Sequence, residues 1–505
     1  FLGKLRLPDD ENKTRLIQFS HKSSQADPAC VTITAEIYNK EDLNLIPDIV
    51  SSLRDSFAPG AHSELRAQRS LARRVVLLGG NLVGNTRSDS QGVSARVYKN
   101  GVYGFASAAD LSADAAKRAL STASKNAIFL DERVKPGKGA LPDIASGVLP
   151  AQKDFKDLEQ KRYLDFVTPL DEYINTKYEH LTSRTIVATA DSMEKQILTS
   201  DGYAAHIFSP RAYVYVILNS QTKDGMPVEV FEAFGGPGSL DVALTSPEAL
   251  FPKVDALYEH LMKKREGVFA DAGKKTVILS GILSGILAHE AVGHTVEADL
   301  VLGGSVAGPM LNKMVASPLV SMTDFAHTAF GQPVELPVFV DDEGVLADDA
   351  ELIKDGKLIG YMVNRETGRH FGMTPKGNAR AYAFNDEPLI RMRNTAVHPG
   401  TSKLEDMIAA TEDGYYMVHT NNGQADTTGE FMFGVSTGYE IKNGKLGRAI
   451  FDTTISGVAF DMLKTVDMVS DQMTWASSGF CGKKQPMTVS MGGPDLRCQV
   501  TIGGR

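Results

Sequence analysis

The segment Leu287-Ala-His-Glu-Ala-Val-Gly-His-Thr-Val-Glu-Ala-Asp299 places two histidines and a carboxylate within a few residues of one another. Imidazole nitrogens are common zinc ligands, so His289 and His294 are candidate metal ligands. Glu290 follows the first histidine, where a carboxylate can take a proton from water activated by a metal. The segment therefore predicts a hydrolytic metal centre with Glu290 as its general base.

The separation of the two histidines does not suit a regular α-helix. At 3.6 residues per turn, side chains five residues apart point about 140° apart, whereas the common four-residue spacing gives about 40°. Gly293 lies between Glu290 and His294, where it would tolerate a local break or a π-bulge. We therefore expect an irregular helix at Gly293. The alternative is a packed helix in which the two histidines only make hydrogen bonds.

A third ligand must come from elsewhere, because catalytic zinc sites typically use three protein ligands and keep a fourth position open. Cys481, Cys498, Glu297 and Asp299 are all suitable on chemical grounds. Cys481 lies in the glycine-flanked turn Ser478-Gly-Phe-Cys-Gly482, which would let a thiolate approach a metal closely. A role as a small buried hydrophobic residue is equally compatible with its surroundings.

Length and composition define the class of protein. A chain of 505 residues exceeds the usual size of a single hydrophobic core, so two or three structural units are expected. The hydrophobic share of 42% and the charged share of 23% are typical of a globular protein. The net charge of -9, the pI near 5.7 and the lack of a long Lys/Arg run argue against direct nucleic-acid binding.

Cysteine content and hydropathy bear on the location of the protein. Three scattered cysteines cannot form a disulfide framework, so a reducing, cytoplasmic compartment is expected. The longest apolar stretch, Thr276–Ala288, is shorter than the roughly 20 residues of a spanning helix, so no membrane span is expected. The sequence begins at Phe1 rather than at a methionine, which leaves open a removed N-terminal signal.

Hydrophobic periodicity predicts an α+β protein. Helical spacing predicts helices at Leu111–Ala127, Lys161–Thr176 and Pro247–Arg265, and alternation predicts strands at Val75–Leu78, Val93–Tyr98, Val102–Ala106, Arg184–Ala190 and Ala212–Ser220. The N-terminal half is therefore expected to combine helices with short strands joined by turns.

Two domains are predicted, and the boundary between them is placed where the sequence signals the end of a helix. An N-terminal α/β unit would cover residues 1–267, with a further sub-boundary near 136–155, and a strand-rich C-terminal catalytic domain would cover residues 268–505. The boundary follows Lys263-Lys264-Arg265 and Gly267, a basic last turn and a glycine stop. A short strand from Thr276 then leads to Ser284, the expected N-cap of the metal-binding helix near the start of the second domain.

The quoted segment closely resembles the signature of catalytic subunits in the TldD/PmbA peptidase family, formerly labelled modulators of DNA gyrase. Further blocks resemble that family in the same order: Asp341-Asp-Glu-Gly344, Gly356-Lys-Leu-Ile-Gly-Tyr361, Gly372-Met-Thr-Pro-Lys-Gly-Asn378, Arg391-Met-Arg-Asn-Thr395, Gly423-Gln-Ala-Asp426, Gly429-Glu-Phe-Met-Phe433 and Gly479-Phe-Cys-Gly482. The N-terminal half resembles the family more loosely.

The resemblance implies a zinc metallopeptidase in which His289, His294 and Cys481 bind Zn²⁺ and Glu290 is the catalytic base. It also implies action on short or unfolded peptides inside a dimer. That dimer would be a homodimer or a heterodimer with a PmbA/TldE-like subunit that lacks the motif. Because this chain keeps the whole motif, it resembles the catalytic, TldD-like subunit.

Two questions stay open at this point. The block containing Asn421, Asn422, Gly423 and Gln424 could line a peptide-binding groove, or it could form ordinary turns. The function could also differ from peptide hydrolysis. A non-catalytic peptide-binding or assembly subunit with a structural metal, and a zinc hydrolase of a non-peptide amide, are the two alternatives.

Overall fold

The computed structural model describes residues 15–24, 27–39, 48–144, 147–149 and 158–503, with side chains at all of these except 15–39, 51, 52, 421 and 422. Helices and strands are mixed along the chain, as predicted. No helix within these ranges is long and apolar enough to cross a membrane. The expected sub-boundary near 136–155 lies partly outside the described residues.

The N-terminal half contains a large, mostly antiparallel sheet. Its strands are β3 (His62–Leu78), β4 (Asn81–Lys99), β5 (Val102–Ala108), β6 (Gly147–Leu149), β7 (Ser183–Thr199), β8 (Tyr203–Gln221) and β9 (Pro227–Pro237), and it is preceded by the antiparallel pair β1 (Arg15–Ser24) and β2 (Asp27–Asn39). The sheet order is β5-β4-β3-β7-β8-β6, and β9 pairs with another stretch of β8.

The predicted strands of this half are present, but the expectation of short strands is wrong. The apolar run Val75–Leu78 is only the end of β3, and Val93–Tyr98 is only the second part of β4. The missed part of β3 contains polar residues such as Arg66 and Gln68, which the sequence pattern does not mark as strand. Both side chains are buried, because groups from the C-terminal half accept their hydrogen bonds.

Helices cover the N-terminal sheet: α1 (Ala113–Val134), α2 (Gln160–Lys177), α3 (Leu240–Ala243) and α4 (Phe251–Arg265), where α4 follows a 3₁₀ turn at Glu248–Leu250. Helix α1 packs an alanine-rich face on β4 and β5. At Gly104 a side chain would collide with the helix backbone, since its Cβ would lie 2.1 Å from the carbonyl oxygen of Ala123. The expected domain boundary after Gly267 lies beyond α4 and stays a prediction.

The C-terminal half contains many shorter elements. Its helices are α5 (Gly281–Ile286), α6 (Ala298–Leu302), α7 (Arg365–Phe371), α8 (Leu404–Ala409) and α9 (Ala459–Leu463). Its strands are β10 (Gly273–Leu279), β11 (Met322–Phe325), β12 (Thr328–Ala329), β13 (Gln332–Pro333), β14 (Ala350–Lys354), β15 (Lys357–Leu358), β16 (Ala379–Arg380), β17 (Leu389–Ile390), β18 (Asn394–Val397), β19 (Asp413–Ala425), β20 (Glu430–Lys442), β21 (Lys445–Ala449), β22 (Thr453–Val458), β23 (Met468–Val469), β24 (Thr474–Ala476), β25 (Phe480–Cys481), β26 (Met487–Thr488), β27 (Ser490–Gly493) and β28 (Leu496–Ile502).

Two sheets of this half enclose the quoted segment. Strands β10, β19, β20, β22 and β28 are hydrogen-bonded in a closed ring, because β10 pairs with both β19 and β28. The second sheet has the order β15-β14-β11-β18-β27-β24. Helix α5 and the segment after it contact β19 of the ring and β18 and β27 of the second sheet. Leu283, Leu287 and Val292 are therefore fully buried in the main apolar core.

The two halves meet at a buried network of charged groups. Asp342 accepts from Arg66 at 3.1 Å and from Lys195 at 2.8 Å, and all three side chains are buried. Burial favours the neutral carboxyl, but Lys195 and Arg66 outweigh it and lower the pKa of Asp342 to about 2. Nearby, Arg96 bridges Glu64 and Glu343. Ion pairs in the interior thus connect the N-terminal sheet to the C-terminal half.

Replacing Asp342 by Asn should leave two buried cations without a counter-charge. We expect a loss of about 3–5 kcal/mol in the free energy of unfolding, which urea denaturation measures. The control is Asp89→Asn, since the Asp89–Arg69 pair lies on the same sheet but is partly exposed. Its loss should be about 0–1 kcal/mol. Equal losses in the two variants would contradict the role given to Asp342.

Candidate metal centre

The helix that carries the two histidines begins at Ser280 rather than at the predicted Ser284. The Ser280 hydroxyl accepts from the backbone amide of Leu283, as an N-cap does, and donates to the carbonyl oxygen of Val418. Ser284 lies inside α5, where its hydroxyl donates to the carbonyl oxygens of Gly281 and Pro494. The prediction of Ser284 is therefore wrong by one helical turn, because β10 ends at Leu279 and the helix begins directly after it.

The predicted irregular helix is confirmed. Residues Leu287–Gly293 form a π-helix between α5 and a 3₁₀ turn at His294–Val296. The backbone amide of His294 donates to the carbonyl oxygen of His289, which is the five-residue hydrogen bond of a π-helix. The two imidazole rings lie with their centroids 5.2 Å apart. The extra residue in the π-helical turn thus brings the side chains of His289 and His294 to the same side of the helix.

Gly293 is required for a reason other than backbone freedom. Its φ of -53° and ψ of -50° are ordinary helical values that any residue adopts. A Cβ at this position would, however, lie 2.1 Å from the sulfur of Met392, which is fully buried. The glycine therefore makes room for a core side chain that packs directly on the π-helix.

His289, His294 and Cys481 lie together, and their ligand atoms are all within 4.8 Å of one another. His289 is buried, and neither of its ring nitrogens has a hydrogen-bond partner among the described residues. A buried imidazole without partners is costly, and a metal ion would remove that cost. Two imidazoles and one thiolate are also a donor set that zinc favours. The residues therefore fit a metal, and their role as ligands stays a prediction.

The second histidine is oriented by a buried carboxylate. Oε2 of Glu297 lies 2.7 Å from Nδ1 of His294, so this nitrogen carries the proton and Nε2 faces Cys481. The Cys481 sulfur lies 3.3 Å from that Nε2. Lys483 in turn lies 3.2 Å from the same Glu297 oxygen. Glu297, one of the alternative ligands, therefore binds the far side of a histidine instead.

The charge state of the cluster suits a cation. Burial disfavours the thiolate, but His289 and His294 outweigh it and hold the pKa of the Cys481 thiol far below its usual value. Burial also disfavours a charged His294, but Cys481 and Glu297 outweigh it and raise the pKa of this imidazole. Without a metal, the site thus favours a thiolate balanced by a proton. A divalent cation would replace that proton.

The remaining candidates lie in different surroundings. Asp299 accepts from Lys483 at 2.8 Å and is outside the three-residue group. Cys498 is buried in β28 beside β10, and burial raises the pKa of its thiol. Glu290 is partly exposed, and its Oε2 lies 3.7 Å from Nε2 of His294. Of the four candidates for the third ligand, the structure brings only Cys481 to the two histidines.

The predicted peptide-binding block lies along β19. Gly423 packs against Phe433 and Ile286, and Gln424 is exposed. The side chains of Asn421 and Asn422 lie outside the described residues, although their backbone belongs to the strand. The alternative of ordinary turns at these four positions is thus wrong, while their role toward a peptide stays a prediction.

Sequence reasoning missed the groups that support the cluster. Lys483 lies two residues after Cys481, and its ammonium group joins Glu297 to Asp299. Arg391 is fully buried and donates from Nη2 to the carbonyl oxygen of Cys481 at 2.7 Å. Local spacing could have indicated Lys483. No local signal could have indicated Arg391, because it acts across 90 residues of sequence.

The Gly293→Ala substitution should test the packing of the π-helix. Because the new methyl group would overlap Met392, we expect a loss of about 1–3 kcal/mol in the free energy of unfolding, measured in urea, and a reduced metal content. Gly139→Ala is the control, since its Cβ would meet no atom within 4 Å. The loss in the double variant Gly293→Ala/Met392→Ala should be smaller than the sum of the two single losses, because the smaller side chain removes the overlap. Purely additive losses would contradict the proposed overlap.

Comparison with known proteins identifies the family. Residues 272–504 match the PmbA/TldA metallopeptidase C-terminal domain, and residues 63–127 match PmbA/TldA metallopeptidase domain 1. A metalloprotease of Methanocaldococcus jannaschii is 30% identical over 457 residues, covering 88% of this chain and 97% of that protein. A zinc metalloprotease TldD homolog of Saccharolobus solfataricus is 34% identical over 250 residues, covering 49% of this chain and 56% of that protein.

Among solved structures, TldE from Thermococcus kodakarensis has the same fold. Its TM-score is 0.72 at 16% identity, and the match covers 90% of this chain and 99% of TldE. The family domains, the relatives named as metalloproteases and the shared fold agree with the resemblance read from the sequence. The chain therefore belongs to the PmbA/TldD family and is a metallopeptidase.

Proposed function

We propose that the protein is a zinc-dependent peptidase that hydrolyses short or unfolded peptides. His289, His294 and Cys481 hold the zinc ion, and Glu290 is the general base. The observation that carries the proposal is the convergence of three donor side chains around His289, whose ring nitrogens are buried without partners. The name of the Saccharolobus relative, a zinc metalloprotease, supports the choice of zinc.

The position of Glu290 suits proton transfer. When bound, zinc would act as a Lewis acid that polarises the scissile carbonyl group and lowers the pKa of water to about 7. Glu290 has a side chain that is 27% exposed, whereas that of His294 is 16% exposed. Its carboxylate is therefore accessible to water while lying 3.7 Å from Nε2 of His294. It takes the proton of that water and then passes it to the leaving amine.

Strand β19 supports a peptide as the substrate. β10 pairs with β19 only at Tyr415–Met417, whereas β19 continues to Ala425 beside the π-helix. Among the described strands, none pairs with this continuation on the side away from β20, where the carbonyl oxygen of Val418 accepts from the Ser280 hydroxyl. An extended peptide can add to such an edge through backbone hydrogen bonds, which gives affinity with little sequence preference. Gly423 and Gln424, with Asn421 and Asn422, would line this groove.

The assembly and location are also proposals. We propose a dimer, either a homodimer or a heterodimer with a PmbA/TldE-like subunit, and the shared fold with TldE supports this idea. A cytoplasmic location would keep the Cys481 thiol reduced and available to a metal.

The Glu290→Gln substitution should separate catalysis from metal binding. It removes the proton acceptor but none of the three ligands, so we expect zinc content like that of the wild type and at least a 100-fold loss of peptide hydrolysis. Metal analysis and a fluorogenic peptide measure the two quantities. The matched control is Glu229→Gln on the exposed face of β9, which should keep both.

Retained hydrolysis in Glu290→Gln would rule out Glu290 as the base. Zinc that is bound without any hydrolysis in the wild type would favour a non-catalytic subunit with a structural metal. Hydrolysis that unfolded peptides do not inhibit by competition would favour a non-peptide amide as substrate.

A further inference from the structure

The segment Ser477–Gln485, the cysteine loop, places Cys481 next to the two histidines. Its own secondary structure is small: β25 pairs with β26, which follows the loop, through only two residues of each strand. A two-residue pairing cannot by itself hold a thiolate at a fixed position. The loop therefore depends on groups outside it, and these come from both halves of the chain.

The N-terminal sheet holds the first part of the loop. From β8, Arg211 donates to the carbonyl oxygen of Ser477 at 2.9 Å and to that of Gly479 at 3.2 Å. Its guanidinium carbon also lies 4.3 Å from the ring centroid of Phe480, the residue before the cysteine. The hydroxyl of Tyr215 donates to the carbonyl oxygen of Ser478 at 2.9 Å. Three consecutive carbonyl groups are thus bound by one strand.

Arg211 is itself held in place. Its side chain is 2% exposed, and its Nε lies 2.9 Å from both carboxylate oxygens of Asp191 on β7. The guanidinium group therefore forms its ion pair with the neighbouring strand, and its Nη1 group donates hydrogen bonds to the loop. This arrangement makes the contact rigid, since neither end of the arginine side chain is free to move.

The C-terminal half holds the second part of the loop. Arg391 donates from Nη2 to the carbonyl oxygen of Cys481 at 2.7 Å and from Nη1 to those of Lys483 and Gln485 at 3.1 and 2.7 Å. The residue is fully buried, and no carboxylate within the described ranges forms an ion pair with it. The buried, positively charged guanidinium group of Arg391 therefore donates hydrogen bonds to three carbonyl groups of one loop.

We propose that Arg211 and Arg391 are positioning residues that together hold the cysteine loop in the geometry that binds the metal. Arg211 acts from the N-terminal sheet and Arg391 from the C-terminal half. The inference rests on the proposed metal site, and it makes the N-terminal sheet part of that site although it supplies no ligand. A guanidinium group suits this task because its planar fork can bridge two or three carbonyl oxygens, which an ammonium group cannot do in the same geometry.

Cobalt substitution and zinc competition would test the proposal on the full chain. In Arg391→Lys and Arg211→Lys, zinc affinity should fall about 10- to 100-fold, as is usual when a group behind a metal ligand is changed. The thiolate-to-cobalt charge-transfer band should weaken or shift, because this band reports the sulfur position. Tyr215→Phe removes one hydroxyl group and should change both quantities in the same direction by less than about 10-fold.

Arg393→Lys is the matched control. Arg393 is as buried as Arg391, but it pairs with Asp324 and makes no hydrogen bond from its side chain to the cysteine loop. This variant should lose stability and yet keep the zinc affinity and the cobalt spectrum of the wild type. The contrast separates positioning of the loop from a general effect on folding.

The outcomes distinguish the positioning role of Arg211 and Arg391 from the metal site. Wild-type affinity and spectrum in folded Arg391→Lys, Arg211→Lys and Tyr215→Phe would overturn the positioning role alone. If Arg391→Lys does not fold, the other two variants decide the question. A wild-type protein that binds cobalt without any thiolate band would overturn the proposed metal site itself.

Discussion

The hydrogen bond from the backbone amide of His294 to the carbonyl oxygen of His289 is the constraint on which the site depends. In a regular helix these side chains would point to different sides, so the turn must contain an extra residue. The π-helix supplies this extra residue, and the packing of the surrounding core stabilises the π-helix. Met392 packs on Gly293 from one side, while α5 and the strands of two sheets enclose the segment.

The arrangement of charge follows from the same enclosure. The buried Cys481 thiolate and the half-buried His294 imidazole stabilise each other as ions, and Glu297 fixes the orientation of this histidine. Around this centre the interior contains many charged groups, including the fully buried Arg365, Arg391 and Arg393. Such groups are costly to bury without partners. Their partners are carboxylates and backbone carbonyls of segments far apart in sequence, so the ion pairs also join the two halves of the chain.

Local features of the sequence predict the histidine pair and its deformed helix, the family resemblance adds Cys481, and neither predicts the groups that support the site. The spacing of His289 and His294 predicts a deformed helix, since only geometry within a few residues is involved. Ser280 rather than Ser284 caps the helix because β10 ends at Leu279, and an apolar run that passes from a strand into a helix does not mark that point. The polar part of β3 was missed because its residues are buried by groups of the other half. Arg391 and Met392 contact residues that are distant in sequence, and the spacing of residues within a short segment does not predict such contacts.

The proposed metal site requires two imidazoles and one thiolate from distant segments to bind the same zinc ion. X-ray absorption spectroscopy at the zinc edge of the zinc-loaded protein reports these ligands. We expect one sulfur neighbour at about 2.3 Å and two imidazole nitrogens at about 2.0–2.1 Å. A first shell of nitrogen and oxygen atoms without sulfur would rule out this site.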